Sequence, residues 1–137
     1  MPAVFRVEEG ILVVTLTGEM TDAENCEARR ACAELCRQQD VSRMLIDLRG
    51  AVIRSSLLDT YLFVTSLAEG FPPDTLYAVL FSPETHDPDR ARFSEDVAAK
   101  RGIRVKMFTR EDEAGEWLRR GRGDRGTSPR ARAGDVR

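Results

Sequence analysis

The stretch Met44-Leu45-Ile46-Asp47-Leu48-Arg49-Gly50, followed after a short connection by Ser55-Ser56-Leu57-Leu58, decides how this chain reads. Three consecutive apolar residues suit a strand covered on both faces. Polar residues and a glycine then lead to two hydroxyls at the start of a helix, where a side-chain oxygen satisfies a free backbone N–H. In an α/β domain, that end of a strand is where recognition takes place. The motif therefore points to a binding or switching module.

Working outward toward the N-terminus, residues 4–8 and 11–17 are rich in β-branched residues and are separated only by Glu9-Gly10, which predicts a two-residue hairpin. Gly18 is expected to end the second strand. Thr21-Asp22-Ala23-Glu24 matches a capping box and opens a helix to about Gln39, with Ala28, Ala31, Cys32, Leu35 and, at its margin, Cys36 on the apolar stripe. The third strand spans 43–48. Ser55 and Ser56 open a second helix whose broad apolar face holds Leu57, Leu58, Tyr61, Leu62 and Leu67, and Gly70 before Phe71-Pro72-Pro73 is expected to stop it.

Toward the C-terminus, residues 75–81 read as a fourth strand, Asp87-Pro88 as cap and first residue of a helix to about Lys100, and 103–108 as a fifth strand. Thr109 is expected to cap a short last helix with Ala114, Trp117 and Leu118 inward. The order β-β-α-β-α-β-α-β-α predicts an α/β fold with a five-stranded mixed sheet, mostly parallel, carrying an N-terminal antiparallel hairpin. Strands one and five are the expected edges, the latter because Arg104 and Lys106 alternate with apolar residues. The expected core holds Val14, Leu16, Leu35, Leu45, Leu48, Leu62, Val79 and Met107.

At 137 residues the chain is one domain's worth. The expected division is a domain over 1–120 and a disordered Gly/Arg-rich tail over 121–137, which has almost nothing to bury. In that tail, Arg122-Gly123-Asp124 and Ser128-Pro129 read as composition. The tail holds five arginines against two aspartates, so the remaining body is acidic although the whole chain carries only −2. An acidic body disfavours nucleic acid, whose binding rests on clustered Lys and Arg. The N-terminus lacks a signal-peptide layout and no apolar run approaches the ~20 residues of a membrane span, so a cytoplasmic location is expected. Three cysteines, an odd number, fit free thiols better than a disulfide framework.

The hairpin, the capped first helix, the strand ending in Asp47-Leu48-Arg49-Gly50, the serine pair and two further βα units resemble the SpoIIAA-like, or STAS/SEC14-like, superfamily, which includes bacterial anti-sigma-factor antagonists. The resemblance covers roughly residues 4–119. It implies the matching fold and a non-catalytic regulatory module that binds a protein partner, such as a kinase or anti-sigma factor. In the antagonists, a serine in an Asp-Ser-Ser-Gly-like turn is phosphorylated to switch binding. Here the turn reads Arg54-Ser55-Ser56-Leu57, matching the serines without the flanking aspartate and glycine. Ser55 and Ser56 are thus the candidate phosphorylation sites, and equally plain helix caps. A phosphate there would sit at the positive helix end near Arg49 and Arg54.

Parallel strands align their C-terminal ends, so one rim is expected to gather Arg49, Arg54, Ser55, Ser56, Ser82, Thr85, His86, Asp87 and Arg110. His86 is the only histidine, which excludes a multi-histidine metal site; it reads as an exposed loop imidazole rather than half of an acid/base pair with Asp87. Cys32 and Cys36 read as small core hydrophobes, and Cys26, projecting toward the polar side, as the one candidate for a reactive or crosslinking thiol. No phosphate loop or dinucleotide fingerprint occurs, so no cofactor is expected. A carrier of a small apolar ligand is the alternative to the interaction module, and an enzyme ranks below both. Self-association through the hairpin or an uncovered sheet face would make a homodimer.

Overall fold

A computed structural model describes residues 3–54, 56–67 and 69–127, with the backbone alone for 122–127. The elements are β1 (Ala3–Glu8), β2 (Ile11–Met20), α1 (Asp22–Gln39), β3 (Arg43–Ile53), α2 (Leu57–Thr65), β4 (Leu76–Leu80), α3 (Pro88–Lys100), β5 (Arg104–Phe108) and α4 (Glu111–Thr127). The sheet order is β1-β2-β3-β4-β5, with β1 antiparallel to β2 and every other pair parallel. The mixed sheet and its two edge strands are as the sequence predicts. Glu9 and Gly10, at φ +52° and +75°, make the tight hairpin turn that pairs Glu8 with Ile11.

Strands two and three are longer than expected. Gly18 does not end β2, because at φ +78° it stays paired with Ala51, and the pairing continues to Met20 and Ile53. Between Thr15–Asp47 and Thr17–Gly50 the partners step by two residues on β2 and three on β3, so a bulge sits at Leu48-Arg49. β4 meets β3 only from Arg43 to Asp47. The β2–β3 ribbon therefore outruns β4 by six residues, about 20 Å at strand rise.

One face of the sheet packs Leu12, Val14, Leu16, Met44 and Tyr77 with Val97 of α3 and the buried side of α1, including Ala28, Cys32 and Cys36. The opposite face packs Val13, Leu45, Leu76, Ala78 and Leu80 against Ala114 and Leu118 of α4. The alternation follows the two-residue period of the strands. α1 starts with the expected capping box: Thr21 Oγ1 accepts from the Glu24 N–H (3.1 Å) and Glu24 Oε1 accepts from the Thr21 N–H (2.9 Å). Asp87 caps α3 with Pro88 in its first turn.

The second helix departs most from expectation. α2 ends at Thr65 rather than near Gly70, because the Thr65 and Ser66 hydroxyls donate back to the Tyr61 and Phe63 carbonyls and so occupy the last turn's acceptors. Leu57, Leu58 and Leu62 are 51%, 65% and 54% exposed, so Leu62 is not in the core, and of the expected apolar face only Leu67 is buried and Tyr61 partly so. α2 lies on α3 and reaches the core only through Val64, with Tyr61 and Phe63 packed against it. Val14, Leu16, Leu45 and Val79 are buried as expected, whereas Leu35, Leu48 and Met107 are only partly so.

The boundary expected at Arg120 falls inside α4, which runs on to Thr127; residues 128–137 lie outside the described ones. The Ala114 N–H donates to the Arg110 carbonyl, which puts the cap at Arg110 rather than Thr109. Gly121 is buried where α4 crosses β4, and a Cβ there would overlap Leu76 Cδ1, while Leu76 itself is fully buried. At Gly115 an added Cβ meets only the Arg119 guanidinium, a movable group, at 3.3 Å. Gly121→Ala is expected to lower stability in urea unfolding by about 1–3 kcal/mol through overpacking. Gly115→Ala is expected to raise it by up to about 1 kcal/mol through helix propensity. Equal effects at the two positions would contradict this packing.

Candidate functional site

The β3 motif that decides the fold is a clamp on its own bulge. Asp47 Oδ1 accepts from the Arg49 backbone N–H (3.0 Å) and from Arg49 Nε (2.9 Å), and Asp47 Oδ2 accepts from Arg49 Nη2 (2.8 Å). The bulge leaves one strand N–H without a ladder partner, and the carboxylate supplies it. Arg49 Nη2 also reaches Glu111 at 3.2 Å, tying the bulge to the first turn of α4.

The expected rim is thereby divided by the sheet. Arg49 sits with Glu111 on the α4 side, and Arg110 is paired with Asp112 at 2.7 Å. Arg54, Ser56, Thr85, His86 and Asp87 instead line one cavity of about 890 Å3 between the other sheet face, α2 and α3. Its floor is apolar, with Leu16, Ile46, Leu48, Val79 and Met107 of the strands, and Phe63 hangs over it from α2. The cavity exists because α2 starts from the tip of the overhanging ribbon and not from the sheet's main edge.

Ser56 is the α2 N-cap. Its Oγ accepts from the Asp59 N–H (3.0 Å), and Asp59 Oδ2 accepts from the Ser56 N–H (3.3 Å), completing a second capping box. Ser55 lies outside the described residues. Neither arginine expected beside the serines is unengaged: Arg49 is held as above, and Arg54 Nη2 pairs with Glu19 at 2.7 Å on an exposed surface. Asp22, at the start of α1, lies against Asp59; desolvation and then that carboxylate raise the Asp22 carboxyl above the usual aspartate range.

His86 is not the exposed imidazole expected. It is partly buried; Nδ1 lies 3.0 Å from Thr85 Oγ1 and 3.4 Å from the Ser82 N–H, and Nε2 is buried with no hydrogen-bond partner among the described residues. The Asp87 carboxylate caps α3 by accepting from the Asp89 N–H (2.9 Å). Cys32 and Cys36 are buried as expected, which pushes their thiols up to about 12 and about 11. Cys26 lines the cavity instead of projecting to the polar side. Among the described residues, no group of three or more His, Cys, Asp and Glu is placed to hold a metal, and no helix is long and apolar enough to cross a membrane.

Sequence reasoning found the cavity's polar mouth but not its floor or roof. Asp59 and Asp22 lie within capping patterns that the sequence displays, Ser56-Leu57-Leu58-Asp59 and Thr21-Asp22-Ala23-Glu24, but their convergence on one mouth is a tertiary effect. Arg90 and Ser94, which also line it from α3, carry no local signal.

No family model and no curated protein matches the chain by sequence. Solved structures do resemble it. An anti-sigma factor antagonist from Mycobacterium paratuberculosis superposes with a TM-score of 0.61 at 17% identity, over 85% of this chain and 92% of that one. The anti-sigma factor antagonist SpoIIAA in its unphosphorylated form gives 0.55 at 15% identity, over 89% and 99%. A protein with a SpoIIAA-like fold from Shewanella loihica gives 0.55 at 12% identity, over 85% and 91%. At these identities the likeness concerns the fold, and the resemblance drawn from the hairpin, capped helix and β3 motif holds at that level.

The bulge clamp makes stability depend on pH. Hydrogen bonds from Arg49 hold the Asp47 carboxyl below the usual aspartate range against the opposing effect of burial. The folded chain thus binds this proton less tightly than the unfolded one. The contribution is complete above the unfolded value of about 3.9 and is lost as the pH falls through the lower folded value. Because water reaches Arg49, Asp47→Asn is expected to cost about 1 kcal/mol at neutral pH. In urea titrations that cost should shrink below pH ~3, where the wild-type carboxyl is itself protonated. A difference that stays constant across that range would contradict the clamp.

Proposed function

Starting from the SpoIIAA-like fold, we propose that this chain is a non-catalytic regulatory module that acts by docking a protein partner on α2 and the adjoining rim. The observation that carries the reading is the exposure of Leu57, Leu58 and Leu62 on a nine-residue helix at the C-terminal end of the sheet. Burying a leucine side chain contributes about 1.5–3 kcal/mol, and a folded chain that leaves three together in water has a surface suited to a partner. Anti-sigma factor antagonists of the same fold support a protein, an anti-sigma factor or its kinase, as the class of partner.

The absence of catalysis is argued from the polar groups themselves. Ser56 Oγ is engaged as a cap acceptor and His86 Nδ1 by Thr85, so the hydroxyl and the imidazole do not form a nucleophile and base. Regulation through Ser55 or Ser56 is the finer part of the proposal. A phosphate on Ser56 would displace the cap from the Asp59 N–H and stand beside the Asp59 carboxylate, loosening the first turn that presents Leu57 and Leu58. Phosphorylation would then weaken docking.

The test is partner retention from lysate of the native host on the immobilised chain, quantified by mass spectrometry, for wild type and for Leu58→Asp combined with Leu62→Asp. Exposed positions tolerate such changes within roughly 0.5 kcal/mol of stability, so thermal melts are expected to coincide. A protein retained by wild type and reduced at least ~10-fold by the variant is the expected outcome. Identical retained sets would overturn the reading.

A further inference from the structure

We propose that the cavity beneath α2 is a binding site for a small neutral molecule, apolar over most of its length and carrying one hydrogen-bond acceptor, which meets His86 Nε2. The site shares Leu62 with the leucine face but neither Leu57 nor Leu58, and the inference does not depend on partner docking. Its volume, about 890 Å3, falls in the ~300–1,000 Å3 range of small-molecule sites, where a mostly apolar lining is combined with a few placed polar groups.

The acceptor follows from the histidine. The Ser82 N–H at 3.4 Å can only donate to Nδ1 and the Thr85 hydroxyl at 3.0 Å can donate or accept, whereas the Ser82 carbonyl, 3.2 Å from Nδ1, can only accept. With Nδ1 accepting from the Ser82 N–H and the Thr85 hydroxyl, the ring proton sits on Nε2, the tautomer this site requires. That N–H is buried and unpartnered among the described residues, and a buried donor left unmade is costly. An acceptor atom on a ligand inside the cavity would satisfy it.

Neutrality follows from the mouth. The lining carboxylates are Asp22, Asp59 and Asp87 and the lining guanidinium groups are Arg54 and Arg90. Arg54 is already paired with Glu19, and Asp22 lies against Asp59, which adds to desolvation in raising its carboxyl. The field at the entrance is therefore negative, and an anionic head group would be repelled. A ketone, ester or amide fits where a carboxylate does not.

The probe is 6-propionyl-2-dimethylaminonaphthalene, a neutral fluorescent ketone, compared with the anionic 1-anilinonaphthalene-8-sulfonate on the full chain. Saturable, blue-shifted binding of the ketone at one per chain, at least tenfold tighter than the anion, is expected. His86→Leu is expected to weaken it about tenfold, and His86→Gln, which keeps a donor near the Nε2 position, to restore most of the loss. Ser94→Phe should fill the cavity and abolish binding. Because Ser94→Phe could misfold, wild-type Cys26 gives a second readout: it lines the cavity while Cys32 and Cys36 are buried, so bound ketone should slow its alkylation by N-ethylmaleimide. Absence of saturable binding, tighter binding of the anion, or ketone binding that leaves both His86→Leu affinity and Cys26 alkylation unchanged would overturn the proposal.

Discussion

The structure depends on β2 and β3 remaining paired after β4 has stopped. The bulge at Leu48-Arg49 would otherwise end that pairing, since one residue too many on β3 leaves a backbone N–H unpartnered. Asp47 removes the difficulty by accepting that N–H and the Arg49 side chain together. The ribbon then extends beyond the rest of the sheet, and the chain enters α2 from its tip. A helix launched from there cannot settle into the groove that a shorter strand would offer.

Beyond Val64, which reaches the core, what holds α2 is local and peripheral. The Ser56–Asp59 capping box fixes its start, and α3 holds its body through Arg90 Nη1 on Thr60 Oγ1 (3.0 Å) and Arg101 on the Tyr61 hydroxyl and ring. Its leucines remain in water on one side and a cavity remains on the other. The two faces of one loosely seated helix thus carry both functional proposals.

Much of this architecture was legible in the sequence because it is encoded by local chemistry. Glu9-Gly10, the Thr21 capping box and Asp87-Pro88 each satisfy backbone groups within a few residues, and the structure uses them as read. The bulge was not legible: Asp47-Leu48-Arg49-Gly50 looked like a strand end, and its continuation depends on Thr17-Gly18-Glu19-Met20 lying alongside. The α2 error follows from that one. An apolar stripe such as Leu58 and Leu62 predicts burial only if a surface is within reach, and the overhang takes the surface away. Arg49 and Arg110 shared the expected rim with His86 because they sit at the same strand ends, but alternation across the pleat sends Asp47, and with it Arg49, to the α4 side.

Hydrogen exchange tests the central claim most directly. If α2 is held at its start and by α3 while standing off the sheet, amides in its last turn should exchange through local opening, at least ~100-fold less protected than those of β3, β4 and the equally capped but fully packed α1. Protection of α2 equal to that of α1 and the central strands would mean that the helix is seated on the core, which contradicts a helix held off the sheet by the overhanging ribbon.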